Sequence, residues 1–137
     1  MFSRIMVPVD LGHKDRLRRA LDAAGKLAKA EGAEIVFVGV TGTAPGAVAR
    51  SPEAYRERLD AFAAEESGAL GVPASADAVI AHDPAVDLGA ALVEEIPRLG
   101  ADAVVMASHL PGLAEHVFAS NAGYVASHAP VSVFVVR

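Results

Sequence analysis

The sequence predicts an α/β fold in which an open, five-stranded parallel sheet carries helices on both faces. Short apolar runs alternate with longer segments of helical periodicity four times, and a fifth apolar run ends the chain. Strands that alternate with helices pair in parallel through right-handed crossovers. The second run, "AEIVFVGVT", is almost entirely apolar, as expected of a strand that is covered on both faces. Five strands are too few to close an eight-stranded barrel, so the sheet is expected to be open.

The first strand and the first helix have clear local signals. The strand over 4–9 is a short apolar run, and Pro8 lies near its end, where a missing N–H donor is tolerated. A turn over 10–13 follows it. The helix over 15–31 has apolar residues at spacings of three and four, and Gly32 marks its C-terminal end.

The middle of the chain contains a second strand and a second helix. The strand over 33–41 is followed by a loop rich in Gly and Pro and then by a helix over 52–67. Ser51 is the predicted N-cap of this helix, Pro52 is its first residue, and Gly68 is its C-terminal stop.

The second half of the chain shows the same signals. A weaker strand over 73–81 precedes Asp83 and Pro84, which repeat the pattern of a cap followed by proline at the start of a helix. The remaining elements are predicted as this helix over 84–99, a strand over 101–107, a loop over 108–118, a short helix over 119–128 and a strand over 131–136.

Length, charge and composition exclude several classes of protein. The 137 residues suit a single domain, 1–137. A formal net charge of -5 argues against a nucleic-acid partner, because neutralising phosphates needs a basic face. The chain has no cysteine, and its histidines lack a ligand spacing such as H-E-x-x-H, so no metal site is predicted. No apolar run approaches the roughly 20 residues that span a bilayer, so a cytoplasmic protein without membrane insertion is expected.

Ligands of open α/β sheets bind beyond the carboxyl ends of the strands, where the strand order reverses. The segments predicted to lie there are Pro8-Val9-Asp10, Val40-Thr41-Gly42 and Met106 to His109, and Ala119-Ser120-Asn121 opens the last helix. A hydrolytic triad of Asp10, His109 and a serine is not favoured, because the sequence has no G-x-S-x-G turn. No catalytic residue is predicted.

These segments resemble the universal stress protein family over essentially the whole chain. The similarity is carried by "IMVPVD" at the first strand, "HDPAVDLGAALVEEIPRLGADAVVMASH" through the fourth strand, and "ASNAGYVASHAPVSVFVVR" at the end. The Ser-His-x-Pro loop followed by Ser-Asn resembles the branch with the bacterial F- and G-type members. The resemblance implies the strand order 3-2-1-4-5 and a homodimer formed through Val131 to Val136. An apolar edge strand also needs a cover on physical grounds, although the chain itself could supply it.

The nucleotide-binding branch of the family carries the motif Gly-x2-Gly-x9-Gly-(Ser/Thr) after strand four. On this sequence the glycines fall on Ala107, Leu110 and Ala119, Ser120 is retained, and the second spacer is one residue short. Backbone amides at a helix N-terminus still favour phosphate without glycine. Alanine at 119 costs little if its φ is negative and about 1 kcal/mol or more if its φ is positive, and the sequence leaves both cases open.

The resemblance implies a nucleotide site at the strand ends and the last helix. Asp10 would face the adenosine, or it closes the first βα turn without a ligand. Val40 would line the adenine pocket, or it belongs to the core. His109 would bind a phosphate, or it holds its own loop. The full set of implied contacts is Pro8, Val9, Asp10, Val40, Met106, Ala107, His109, Leu110, Ala119, Ser120 and Asn121.

Three functions stay open at this point. The first is a cytoplasmic, dimeric stress protein that binds ATP or a related adenine nucleotide, with Mg if ATP is bound. Hydrolysis would be slow at most, because the sequence has no Walker-type Lys-Ser/Thr. The second is a nucleotide-free family member that acts through an unidentified protein partner. The third is an enzyme of the wider nucleotide-binding α/β group.

Overall fold

A computed structural model shows an open sheet of five parallel strands in the order third, second, first, fourth, fifth, which confirms the predicted fold class. It describes residues 1–108 and 115–137, with only the backbone of 115–120. The strands are β1 (Arg4–Pro8), β2 (Glu34–Thr41), β3 (Ala74–Ile80), β4 (Ala103–Ala107) and β5 (Ser132–Val136). The helices are α1 (Arg18–Glu31), α2 (Pro52–Leu70), α3 (Pro84–Leu99) and α4 (Glu115–His128), and a 3₁₀ segment covers Leu11–Arg16.

The helices form two layers around the sheet. α1 contacts α2 and the strands β1, β2 and β4, whereas α3 contacts α4 and the strands β1 and β2. Right-handed crossovers place these two pairs of helices on opposite faces. No helix in the described ranges is long and apolar enough to cross a membrane.

The hydrophobic core lies on both faces of the three inner strands. Ile5 of β1, Phe37 of β2 and Met106 of β4 are completely buried. Phe37 also packs edge-to-face against Phe62 of α2, with the ring centroids 5.2 Å apart. Because both faces are covered, the ends of the strands are the places where polar groups can meet a ligand.

Glycine residues in the left-handed conformation end the first three helices. Gly32 follows α1 with a φ of 66°, as predicted, and Gly100 follows α3 with the same value. The predicted end of α2 before Gly68 is wrong, because the helix continues to Leu70 and ends at Gly71 with a φ of 69°. Gly68 is exposed, and glycine inside a helix costs about 1 kcal/mol relative to alanine, which is too little to end the helix there.

The starts of the helices follow the predictions in part. Ser51 caps α2 as predicted, because its Oγ accepts a hydrogen bond from the Ala54 amide at 3.1 Å. Asp83 is the N-cap residue of α3 and Pro84 is its first residue, as predicted. The Asp83 side chain makes no cap hydrogen bond, and its amide donates to Asp87 Oδ2 at 3.3 Å. α1 begins at Arg18 and not at 15, since the 3₁₀ segment precedes it.

Asp102 ties the start of the chain to the start of β4. Its carboxylate accepts hydrogen bonds from the Ser3 amide at 2.9 Å, the Ser3 hydroxyl at 2.9 Å and the Arg4 amide at 3.1 Å. Its own amide donates to the Arg4 carbonyl at 2.9 Å. Desolvation opposes ionisation of Asp102, but the amide and hydroxyl donors outweigh it and lower the pKa of the carboxyl.

We expect Asp102→Asn to lower the free energy of unfolding by about 1 kcal/mol at neutral pH, because the variant loses a charged acceptor. A carboxyl whose pKa is lowered by folding stabilises the protein above its unfolded pKa of about 3.9, and this stabilisation is lost as the pH falls through the folded value. In urea unfolding, the difference in free energy of unfolding between the wild type and Asp102→Asn should therefore be constant from about pH 5 to 7 and smaller below about pH 4. Equal stability of the two proteins at neutral pH would contradict this role.

The contact between α3 and α4 depends on Gly89. A Cβ at this buried position would lie 2.9 Å from Tyr124 Cδ1 and 3.0 Å from Asn121 Oδ1, both on α4. Real Cβ atoms do not approach other atoms so closely, so any side chain at residue 89 would shift the helices or their side chains.

We expect Gly89→Ala to lower the free energy of unfolding by about 1–3 kcal/mol in thermal or urea unfolding, because it overpacks this helix contact. Gly68→Ala is the matched control, since other parts of the chain leave open space around Gly68. The control should be neutral or stabilising by up to about 1 kcal/mol. Similar losses of unfolding free energy in Gly89→Ala and Gly68→Ala would show that the close packing of α3 on α4 does not cause the destabilisation.

Candidate functional site

A cavity of about 340 Å³ lies beyond the carboxyl ends of β1 and β2, beside the N-terminus of α3. Its volume falls in the lower part of the range for small-molecule sites, about 300–1,000 Å³. The loop between β2 and α2 forms another part of its wall, through Gly42 and the segment 46–49. The position agrees with the general location of ligands in open α/β sheets.

Apolar side chains form much of the cavity wall. Val9 follows β1, Val40 lies near the end of β2, Val48 lies in the loop, and Leu88 lies on α3; all four line the cavity. Val40 is at the same time packed against the hydrophobic core, so both interpretations of this residue agree with the structure. Such walls accept a flat, apolar ring system.

Asp10 lines the cavity and also closes the first βα turn. Its Oδ1 accepts a hydrogen bond from the Gly12 amide at 3.0 Å, and its Oδ2 lies 3.0 Å from His13 Nδ1. The interpretation of Asp10 as the cap of this turn is therefore confirmed. Each carboxylate oxygen retains capacity for a further hydrogen bond, so the same side chain can also accept one from a ligand.

Tyr55 is a cavity residue that the sequence reasoning missed. It lies in the first turn of α2, is 5% exposed, and lines the cavity. Burial, together with the negative charge of Asp10, raises the pKa of its hydroxyl to about 12, so the phenol stays protonated at neutral pH. Gly39 was the available signal, because a glycine inside a strand often marks the close approach of another group.

The electrostatics of the cavity are simple. Among the described residues that line it, Asp10 and Tyr55 are ionisable, and none is Lys, Arg or His. The cavity therefore offers an anionic acceptor and a neutral donor within largely apolar walls. Such a cavity suits an uncharged ligand group with hydrogen-bonding edges.

The described ranges contain no group of three or more His, Cys, Asp or Glu that could hold a metal ion.

Three of the predicted contact residues lie inside strands. Pro8 ends β1, Met106 and Ala107 end β4, and all three are buried. Met106 and Ala107 pair with the β5 residues Val135 and Val136. These residues share an edge of the sheet with Asp10, but they do not line the described cavity.

The last helix begins earlier than predicted. α4 starts at Glu115, so the predicted start at 119 is wrong, and Ala119, Ser120 and Asn121 lie in the second turn. Helical φ is negative, so alanine at 119 carries no left-handed strain. The unpaired N–H groups of a helix belong to its first turn, whereas later amides bond to carbonyls of the same helix. The backbone position that favours an anion is therefore the turn that begins at Glu115.

The remaining predicted contacts are Asn121, His109, Leu110 and Ser120. The Asn121 side chain faces α3, since its Oδ1 lies 3.0 Å from the position of a Cβ on Gly89. His109 and Leu110 lie outside the described residues, and their roles stay predictions. The same holds for a nucleotide contact by Ser120, of which the structure describes only the backbone.

The fold and the cavity together define an open, doubly wound α/β protein with a cavity at its strand ends, where proteins of this class bind ligands. The chain belongs to the Universal stress protein family, whose sequence profile matches residues 1–137. This result confirms the family resemblance, while the F/G-type branch stays a prediction.

Solved structures of this family share the fold. A universal stress protein in complex with cAMP has a TM-score of 0.72 and 21% identity, over 99% of this chain and 97% of that chain. One from Archaeoglobus fulgidus in complex with dAMP has a TM-score of 0.70 and 21% identity, over 98% of both chains. One from Arabidopsis thaliana with AMP bound has a TM-score of 0.63 and 20% identity, over 98% of this chain and 90% of that chain.

Proposed function

We propose that this protein is a regulatory or sensing protein that binds an adenine nucleotide, with the nucleoside in the cavity beyond β1 and β2. The observation that carries the proposal is that Val9, Asp10 and Val40, three of the residues implied by the family resemblance, line one cavity. The three relatives crystallised with cAMP, dAMP and AMP support it, because these ligands share an adenine base and one phosphate.

The chemistry of the cavity fits the nucleoside part of such a ligand. Adenine is flat and its faces are apolar, which suits walls that include Val9, Val40 and Leu88. The adenine amino group and the ribose hydroxyls are hydrogen-bond donors, and Asp10 is an acceptor of fixed orientation. The nucleoside would thus bury its rings and donate at least one hydrogen bond to Asp10.

The phosphates would lie toward the end of β4 and the first turn of α4. Unpaired amides and the positive end of the helix dipole favour an anion at that position. AMP needs only one such phosphate position. ATP, with Mg as the counter-ion of its phosphates, is the larger ligand that the family resemblance implies.

The second candidate function is that of a nucleotide-free family member that acts through a protein partner. The observation that favours it is the identity of Ala107, Leu110 and Ala119, which replace the three motif glycines. Each of these residues brings a side chain to a position where glycine would allow close approach of the backbone to phosphates.

We expect AMP and ATP to bind the purified protein, after carried-over ligand has been removed, in isothermal titration at up to millimolar nucleotide. Ala85→Phe introduces a ring at an exposed position of the cavity wall and should weaken binding at least about tenfold, because the ring competes for the cavity. Val86→Phe is the matched control, since Val86 is 75% exposed and does not line the cavity.

A wild-type protein that binds neither nucleotide would contradict this proposal and favour the nucleotide-free alternative. Equal losses of nucleotide affinity in Ala85→Phe and Val86→Phe would contradict a ligand position inside the cavity. The expected result is a loss confined to Ala85→Phe, with both variants as stable as the wild type.

We also propose that the protein forms a homodimer through β5. Within the described residues β5 lies at the edge of the sheet and pairs with β4 alone. Phe134 is 59% exposed and Val135 is 37% exposed on this strand. An apolar edge strand offers unpaired backbone groups to another strand, and a second copy of the chain supplies one with the same composition.

We expect Phe134→Asp to convert the dimer to a monomer in size-exclusion chromatography with light scattering, because it places a charge in the proposed apolar interface. Val86→Asp is the control, because it changes another exposed apolar residue that lies on α3 and away from β5. The control should remain dimeric. A monomeric wild type at micromolar concentration would rule out a stable dimer.

A further inference from the structure

We infer that the Tyr55 hydroxyl donates a hydrogen bond to the nucleoside part of the ligand and so helps to determine which nucleosides bind. The inference rests on the proposed function and deepens it, because it assigns a specificity role to a residue that the family resemblance did not include. It is carried by the packing of Tyr55, by the lack of a partner for its hydroxyl, and by its place in the cavity wall.

The position of the hydroxyl is set by Gly39 on β2. A Cβ at residue 39 would lie 2.3 Å from Tyr55 Oη and 2.9 Å from Tyr55 Cε1. Any side chain at this position would therefore displace the phenol. Tyr55 is buried against the backbone of β2 at a point where only glycine leaves room for it, and this packing holds the hydroxyl in one place.

No hydrogen bond joins this hydroxyl to another described residue. Tyr55 as a whole is 5% exposed and lines the cavity, but its Oη is not among the fully buried, unpaired side-chain atoms of the described residues, which are Asp77 Oδ2 and Ser108 Oγ. The ring is therefore buried while the hydroxyl meets the cavity, where a ligand group can accept its hydrogen bond. The arrangement therefore resembles a binding contact more closely than a structural one.

Tyr55 is a hydrogen-bond donor at neutral pH, as a protonated phenol. Burial and the charge of Asp10 raise the pKa of the phenol to about 12, so the phenol keeps its proton. The Asp10 carboxylate is oriented by the Gly12 amide and lies against His13. When ionised it only accepts hydrogen bonds. Together the two side chains give the cavity a donor and an acceptor of fixed orientation.

A nucleoside carries the complementary groups. The ring nitrogens of adenine accept hydrogen bonds and its amino group donates, while the ribose hydroxyls do both. The described lining of the cavity has no cationic side chain to hold a phosphate beside Tyr55. The contribution of the hydroxyl is therefore expected to be the same for adenosine, AMP and ATP.

The test is the affinity of Tyr55→Phe, which removes the hydroxyl and keeps the ring against Gly39. We expect weaker binding of adenosine, AMP and ATP by a common factor of about 5 to 20 in isothermal titration of the full chain. Tyr124→Phe is the matched control, because Tyr124 stacks on His128 of α4 and does not line the cavity. It should bind all three ligands as the wild type does.

Unchanged affinity in Tyr55→Phe, with a wild type that binds, would overturn the inference and leave the proposed function standing. A loss confined to ATP would overturn it as well. A wild type that binds none of the three ligands would remove the proposed function and this inference with it. Comparison of adenosine with 2′-deoxyadenosine then tests one acceptor: an effect of the substitution confined to adenosine assigns the 2′-hydroxyl, and an equal effect excludes it.

Discussion

Burial of the inner strands on both faces is the constraint on which the rest of this structure depends. Ile5, Phe37 and Met106 have no exposed surface, and the backbone groups of their strands are paired with neighbouring strands. Polar chemistry is therefore confined to the strand ends, where the pairing stops. Asp10 and Val40 occupy such ends. The hydrophobic runs that form the core thus also decide where a ligand can bind, and core and site cannot be altered independently.

Three residues from separate parts of the sequence act together at the cavity: Asp10 and Tyr55 line it, and Gly39 leaves room for Tyr55. Burial, with the charge of Asp10, raises the pKa of the phenol, which keeps its proton at neutral pH. Asp10 is in turn oriented by the amide of Gly12. Hydrogen bonds are stronger in apolar surroundings than in water, so a donor and an acceptor among valine side chains are more selective than the same groups on an open surface.

The sequence predicted the five strands and four α-helices of the described residues, from apolar spacing in α1 and α3 and from cap, proline and glycine signals around α2. It did not predict the 3₁₀ segment Leu11–Arg16. It failed where two local signals compete. Gly68 resembles a helix stop, yet the helix continues to Gly71, whose left-handed conformation ends it. Gly39 indicated that some group approaches β2 closely, but the sequence could not identify that group as Tyr55, since only the fold places the first turn of α2 against β2. Val9, Asp10 and Val40 lie in segments that the strand ends indicated, and the family resemblance implied their contacts. Pro8, Met106 and Ala107 were predicted in the same way but do not line the described cavity.

The start of α4 connects the missing motif glycines with what the site recognises. Alanine has a higher helix propensity than glycine, and Ala119 lies within a helix that begins at Glu115. The three motif glycines, which allow the backbone to approach phosphates closely, are replaced by Ala107, Leu110 and Ala119. In the proposed complex, recognition therefore depends more on the base and the sugar, for which the cavity has both a donor and an acceptor, than on the number of phosphates.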